Sequence, residues 1–192
     1  SNVQCLIFSF LVMPDENLNY VGDLAESWEI TNEGTVYTFK LREGLKWSDG
    51  SALTAQDFEY AWKRVADPEV ASGAASDMRV IKNAEAYSNG ECTADEMGVK
   101  AVDDLTLVVE TAYYAPWFPS LTATTVFFPV KKDVVEAEGD PWTKNVETYV
   151  SNGVFMLQEY SSLDKIVMDA VYDTRWKTMY HAEVFIGLDA EF

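Results

Sequence analysis

The sequence predicts a mixed α/β or α+β architecture, and three observations carry that prediction. Runs with strand periodicity are punctuated by short helical patterns, without the regular alternation of strand and helix that marks a wound parallel sheet. The stretch from Leu24 to Asp67 reads as strand, turn, strand, loop and capped helix, and the rest of the chain is arranged about it. Of the 192 residues, 48% are apolar and 14% aromatic, enough to bury a sizeable core in one ordinary domain or in two small lobes sharing a core.

The elements follow in order. Residues 3–13, VQCLIFSFLVM, are apolar nearly all round and are buried whether helical or extended. Pro14-Asp15-Glu16-Asn17 breaks this run. In the next stretch Tyr37, Phe39 and Leu41 share one strand face, with Val36, Thr38 and Lys40 on the other. Asn32-Glu33-Gly34 and Ser48-Asp49-Gly50 supply turns on either side. Thr54 caps a helix with Asp57 three residues on, and Phe58, Ala61, Trp62 and Val65 fall on its buried face. Asp67-Pro68 ends it, because the residue before a proline is pushed out of the helical region.

After a small-residue loop at 69–75, Asp77 precedes a helix with Met78, Ile81, Ala84 and Tyr87 inward, stopped by Ser88-Asn89-Gly90-Glu91. Val99, Ala101, Leu105, Leu107 and Val109 set up a hairpin around Asp103-Asp104. Ala115-Pro116 opens a short helix with Pro119 in its first turn. Val126 to Val130 read as a buried strand, and 131–139 as a helix ended by Gly139. Strands are expected at Val154–Tyr160, Lys165–Ala170 and Glu183–Leu188. There is no internal repeat or low-complexity linker.

Charge narrows the function. Fourteen basic against 32 acidic residues leave a net charge of −18, which argues against nucleic acid and anionic membrane surfaces as partners. The acidic residues are dispersed, as on a solvated face. Cys5 and Cys92 have no metal-ligand spacing and form no CxxC pair; one disulfide is open to them. No charged segment followed by an apolar one precedes Cys5, and LIFSFLV is too short to span a bilayer.

Catalysis finds little support. His181 is the only histidine, and no GxSxG or HExxH occurs. With 32 carboxylates some pair lies at a hydrolytic separation by chance, so a carboxylate-dependent hydrolase stays only as a rival class beside a protein-interaction domain. No metal or cofactor is expected. Two groups of residues could contact a ligand. The aromatic cluster Tyr113, Tyr114, Trp117, Phe118, Phe127 and Phe128 is either core or the wall of a cleft. Asn152-Gly153 is either a hairpin turn or a polar contact, since an asparagine amide both donates and accepts.

The segments AESWEI, YTFKLREGLKWSDGSALTAQDFEYAWKR, ADPEVAS, GVKAVDDLTLVVE, FFPVKKDVVEAEGDPW and VSNGVFMLQEY, in this order between Leu11 and Met168, resemble the oligopeptide-binding proteins of ABC importers, solute-binding protein family 5. The resemblance implies part of the N-terminal lobe of a type II periplasmic-binding-protein fold, with mixed sheets and short helices. Residues 1–19 and 126–192 would belong to the main lobe core, and 20–125 to a smaller subdomain of the same lobe. It implies a non-enzymatic receptor with a peptide ligand and an ABC permease as partners, located in the periplasm or lipid-anchored at the cell surface. The family also contains receptors for nickel complexes, haem and sugars.

Residue by residue, Asn152 and Gly153 match the family's NG-x-aromatic pattern, ending here in Val154 and Phe155. Trp176 matches the last position of an N-P-x-Y-W pattern, with Arg175 in place of its tyrosine and the Asn-Pro start lost. Trp117 and Phe127 are the expected wall residues. Ser72-Gly73-Ala74-Ala75 departs from relatives that carry a ligand-reaching tyrosine there. Half a cleft also leaves apolar surface uncovered, so the chain alone is expected to self-associate.

Overall fold

The computed structural model describes residues 4–143, 146–161 and 165–170. In chain order the elements are α1 (Gln4–Ile7), β1 (Val12–Pro14), β2 (Tyr20–Gly22), β3 (Ala25–Thr31), β4 (Val36–Leu41), α2 (Ala55–Ala66), α3 (Ala84–Ser88), β5 (Val99–Asp103), β6 (Thr106–Glu110), α4 (Phe118–Leu121), α5 (Lys132–Glu138), β7 (Phe155–Ser161) and β8 (Lys165–Ala170). Every pairing among the described strands is antiparallel. The mixed architecture expected from the sequence is the one observed. The contacts divide the chain into two units: one of residues 10–45 and 52–132, the other of the described parts of 1–9, 46–51 and 133–192.

The larger unit is built on a four-stranded sheet in the order β3-β4-β6-β5. Strict alternation in β4 buries Tyr37, Phe39 and Leu41 to 3% exposure or less and leaves Lys40 in solvent. Phe39 pairs with Leu107 and Tyr37 with Val109 of β6, so the buried faces of adjacent strands line up. Helix α2 lies against β5 and β6 and presents Phe58, Ala61, Trp62 and Ala66 to the interior. Val65 is only half-buried; Ala66 closes the apolar face instead.

The start of α2 is a capping box. Asp57 Oδ2 accepts the Thr54 amide hydrogen at 2.9 Å, and the Thr54 side chain serves the third residue of the helix in return. Asp57→Ala is therefore expected to cost about 1 kcal/mol in urea denaturation. The far end is Asp67, extended at φ −66° and ψ 122° before Pro68. At the β5–β6 turn, Thr106 Oγ1 donates to Asp103 Oδ2 at 2.9 Å and the Leu105 amide to Asp103 Oδ1 at 2.9 Å. These bonds hold the Asp103 carboxyl below its usual range, the Thr106 hydroxyl first.

Two expectations are corrected. The helix expected from Asp77 to Tyr87 divides into a 3₁₀ segment, Ala75–Val80, and the short α3. Met78, Ile81 and Ala84 are buried as expected, but the backbone between them joins the sheet. The Lys82 amide donates to Glu110 O at 2.9 Å, the Gly98 amide donates to Lys82 O at 2.8 Å, and Asn83 turns left-handed at φ 60°. Pairing with a neighbouring strand outweighs local helical preference here. Second, Val126–Val130 is not a strand. Thr125–Phe127 is a 3₁₀ turn closed by the Phe127 amide on Thr124 O at 3.0 Å, followed by extended chain at Phe128. Its burial was legible; that no described strand pairs with it was not. The strand expected at 183–188 lies outside the described residues.

In the smaller unit, β7 and β8 form an antiparallel pair with a register shift between Leu157 and Glu159. Residues 47–51 make a tight turn, with the Trp47 amide on Ser51 O and the Gly50 amide on Trp47 O, both at 2.9 Å; Gly50 takes φ 85°. Helix α5 ends as expected at Gly139, which adopts φ 65° and donates its amide to Val135 O at 3.0 Å.

Candidate functional site

In the smaller unit three distant segments meet around Asn152. The Ser9 amide donates to Asn152 Oδ1 at 3.1 Å across 143 residues of sequence. The Gly153 amide donates to Ile7 O at 2.8 Å. Ser48 and Ser151 are linked in both directions, the Ser48 amide to Ser151 O at 2.7 Å and the Ser151 amide to Ser48 Oγ at 3.1 Å. Asn152-Gly153 is thus not the two-residue turn of a hairpin. It is where residues 7–9, 47–51 and 151–153 are tied together.

Asn152 is 5% exposed, and among the described residues its Nδ2 has no hydrogen-bond partner. Leaving a buried amide donor unpaired costs on the order of 1–3 kcal/mol, so such a group calls for an explanation. Gly153 is fixed beside it by space. A Cβ there would lie 2.5 Å from Ile7 C, 2.7 Å from Ile7 O and 2.8 Å from Phe8 N, all backbone atoms that have little room to move. Next along the chain, Tyr149 stacks on Trp142 at 5.6 Å and meets the Phe8 ring edge-on at 6.1 Å. Burial pushes its phenol up to about 12, so it stays neutral at physiological pH.

The aromatic cluster in the larger unit divides into two sets. Phe118, Phe127 and Phe128 are buried, at 0%, 1% and 6% exposure, while Tyr113, Tyr114 and Trp117 are exposed at 52%, 63% and 50%. Phe127 is core: its ring meets Trp62 edge-on at 5.0 Å, and its carbonyl accepts Trp62 Nε1–H at 3.0 Å. Trp117 stands outside, 6.4 Å from the Tyr113 ring. Of the six expected contact residues, the structure joins Asn152 to Gly153 in one unit and places Trp117 and Phe127 in the other. Trp176, Arg175 and His181 lie outside the described residues.

Ser9, which the sequence reading passed over, and Ser48, read there only as a turn residue, are the partners of the Asn152 segment. No local signal marks either of them for this role. A groove of about 630 Å³ in the larger unit lies elsewhere, at the end of the sheet between Glu26, Lys40, Glu43, Asp103 and Asp104. Its Lys40 is already engaged with Thr106 Oγ1 at 2.7 Å. Among the described residues no group of side chains could hold a metal ion, and no helix is long and apolar enough to cross a membrane. Cys92 carries a free thiol, raised by burial first and then by Glu96 and Glu91.

With this geometry in place, residues 19–179 match the family described as bacterial extracellular solute-binding proteins, family 5. The chain belongs to that family. It is 37% identical over 189 residues to the periplasmic murein peptide-binding protein MppA of Escherichia coli, covering 96% of this chain and 35% of that protein. It is 41% identical over 162 residues to the probable deoxycholate-binding periplasmic protein YgiS of the same organism, covering 83% of this chain and 30% of the relative. Among solved structures it is similar to Listeria monocytogenes OppA bound to peptide, with a TM-score of 0.84 and 33% identity over 88% of this chain and 34% of that one. The chain therefore spans about a third of the length of the curated relatives it matches. Asn152, Gly153, Trp117 and Phe127 all lie within the segment that matches family 5.

Proposed function

We propose that this family 5 chain is part of a non-enzymatic receptor that captures peptides outside the cytoplasm and delivers them to an ABC permease. The observation that carries the reading is the likeness to a peptide-bound OppA, at a TM-score of 0.84 over 88% of the chain. Extended peptides are bound by backbone hydrogen bonds for affinity and by roomy pockets that tolerate varied side chains. In this reading Asn152 and Gly153 supply polar contact, Trp176 supplies wall packing with Arg175 next to it in sequence, and Trp117 is a separate exposed aromatic while Phe127 is core. In the full-length receptor the region 20–125 is, on this reading, a smaller subdomain beside a main lobe to which 1–19 and 126–192 contribute.

The relative YgiS favours a second reading, a steroidal carboxylate, because it is 41% identical over 83% of the chain. Native mass spectrometry separates the two. The chain, alone and extended to the length of its relatives, is mixed with a pool of di- to pentapeptides and separately with deoxycholate. Peptide adducts that weaken on Trp176→Ala are the expected result. Adducts with deoxycholate alone would move the assignment to the second reading, and turnover of a peptide would overturn the non-enzymatic one. The same spectra read self-association, which the exposed Tyr113, Tyr114 and Trp117 support.

A further inference from the structure

We infer that the outer edge of β3 pairs with the same edge of a second copy of this chain, antiparallel and centred on Glu29. The inference goes beyond the peptide reading and does not depend on it. The direction of the backbone decides which groups are open. The Leu41 amide donates to Leu105 O at 2.7 Å and the Thr111 amide to Thr35 O at 2.8 Å, so the odd-numbered residues along β4 turn their backbone groups towards β6. Val36, Thr38 and Lys40 therefore face β3, where their partners Thr31, Glu29 and Ser27 face them. Trp28 and Ile30 turn their N–H and C=O outward, and among the described residues nothing hydrogen-bonds to those groups. The opposite edge of the sheet is closed: Glu59 Oε2 accepts the Ala101 amide hydrogen at 2.7 Å, and α2 lies against β5. Pairing through β3 alone closes as a two-fold dimer and does not grow into a fibre.

The sequence of the edge fits itself. With Glu29 on the two-fold axis, Trp28 of one copy stands opposite Ile30 of the other, and each such pair exchanges two N–H···O bonds. Ser27 falls opposite Thr31. Trp28 and Ile30 share the sheet face of Phe39 and Tyr37, their partners in β4, yet Ile30 remains 48% exposed and Trp28 only half-buried. A second copy covers both, as cross-strand pairs of an aromatic and a β-branched residue do. A slip of one residue would set Trp28 or Ile30 against the Glu29 carboxylate instead. One contact opposes the pairing. Glu29 meets its own copy at the axis, and its partner in β4 is Thr38, so no cation of that strand stands opposite it. Like charges directly opposite are destabilising, and Glu29 therefore limits how tightly the edge pairs.

Sedimentation of the chain from about 10 μM to 1 mM reads the association, and amide hydrogen exchange by NMR reads its place. A dimer is expected within this range. The Trp28 and Ile30 amides should exchange more slowly as concentration rises, while the Glu29 amide, which already faces Thr38, should not change. Ile30→Pro removes an outward donor without touching the ladder between β3 and β4, so it should abolish the dimer; a thermal melt confirms the fold. Ile30→Lys keeps that donor but sets a charge opposite Trp28. It should weaken the dimer roughly tenfold, and it decides the matter if the proline variant fails to fold. Glu29→Thr should tighten the dimer roughly fivefold. Glu91→Thr, an equal change of charge on the exposed turn after α3, should stay within about twofold of wild type. A wild type that stays monomeric throughout would overturn the inference. A dimer that survives both Ile30 variants would overturn it too, and would move the contact to Tyr113, Tyr114 and Trp117. Slower exchange at Trp28 and Ile30 when the di- to pentapeptide pool is added to monomeric chain would show that the edge takes a foreign strand in place of a second copy, and that also defeats the inference.

Discussion

Trp62→Ala is expected to lower the stability of the larger unit by about 3–5 kcal/mol, the largest effect of any single substitution considered. Trp62 is fully buried and its ring lies 5.0 Å from Phe127, 6.2 Å from Phe118 and 6.3 Å from Phe58, each edge-on. Truncation empties the space between α2 and the α4 region. It also removes the indole N–H from Phe127 O, leaving a buried carbonyl without that donor. Trp62→Phe, which keeps most of the volume but not the N–H, should fall between wild type and alanine. Urea denaturation reads both. A loss under about 1.5 kcal/mol for Trp62→Ala would mean that the site collapses around the gap, and that Phe127 is not held by this contact.

Gly153→Ala is expected to cost about 1–3 kcal/mol, towards the upper end, because the added methyl meets backbone rather than a movable side chain. With Ile7 C at 2.5 Å and Phe8 N at 2.8 Å, residues 7–9 must shift or 151–153 must withdraw. Either movement disturbs the bond between Ser9 and Asn152, so peptide affinity should fall together with stability. Gly73→Ala is the control, since nothing lies within 4 Å of its added carbon, and it should stay within about 0.5 kcal/mol of wild type. Thermal melts of the two variants make the comparison. Equal melting temperatures would show that the segments around Gly153 are not in close contact.

Much of the fold was legible because the signals lie a few residues apart. Thr54 and Asp57 announced a helix start; Tyr37, Phe39 and Leu41 announced a buried strand face; Gly139 announced a helix end. The errors occurred where a distant partner overrode the local pattern. Lys82 sits in a helical hydrophobic period, yet its backbone is drawn to Glu110, 28 residues away. Phe127 and Phe128 read as strand, but no described strand lies alongside to pair with them. The family resemblance, spread over several segments, was visible from sequence alone, and the match over residues 19–179 bears it out.

The sequence by itself determined most of the elements and the acidic character, which rest on spacings of two to four residues and on composition, and the family, which rests on the resemblance of segments between Leu11 and Met168. The tertiary structure decided the roles of the candidate residues. Phe127 and Trp117, ten residues apart, read alike in the aromatic cluster, yet one is core and the other half-exposed. Asn152 read as a group that could both give and take a hydrogen bond, and the structure sets its Oδ1 on a serine amide 143 residues away and buries its Nδ2. Local spacing constrains the backbone of a residue; which of its polar atoms remain free depends on what long-range folding brings against it.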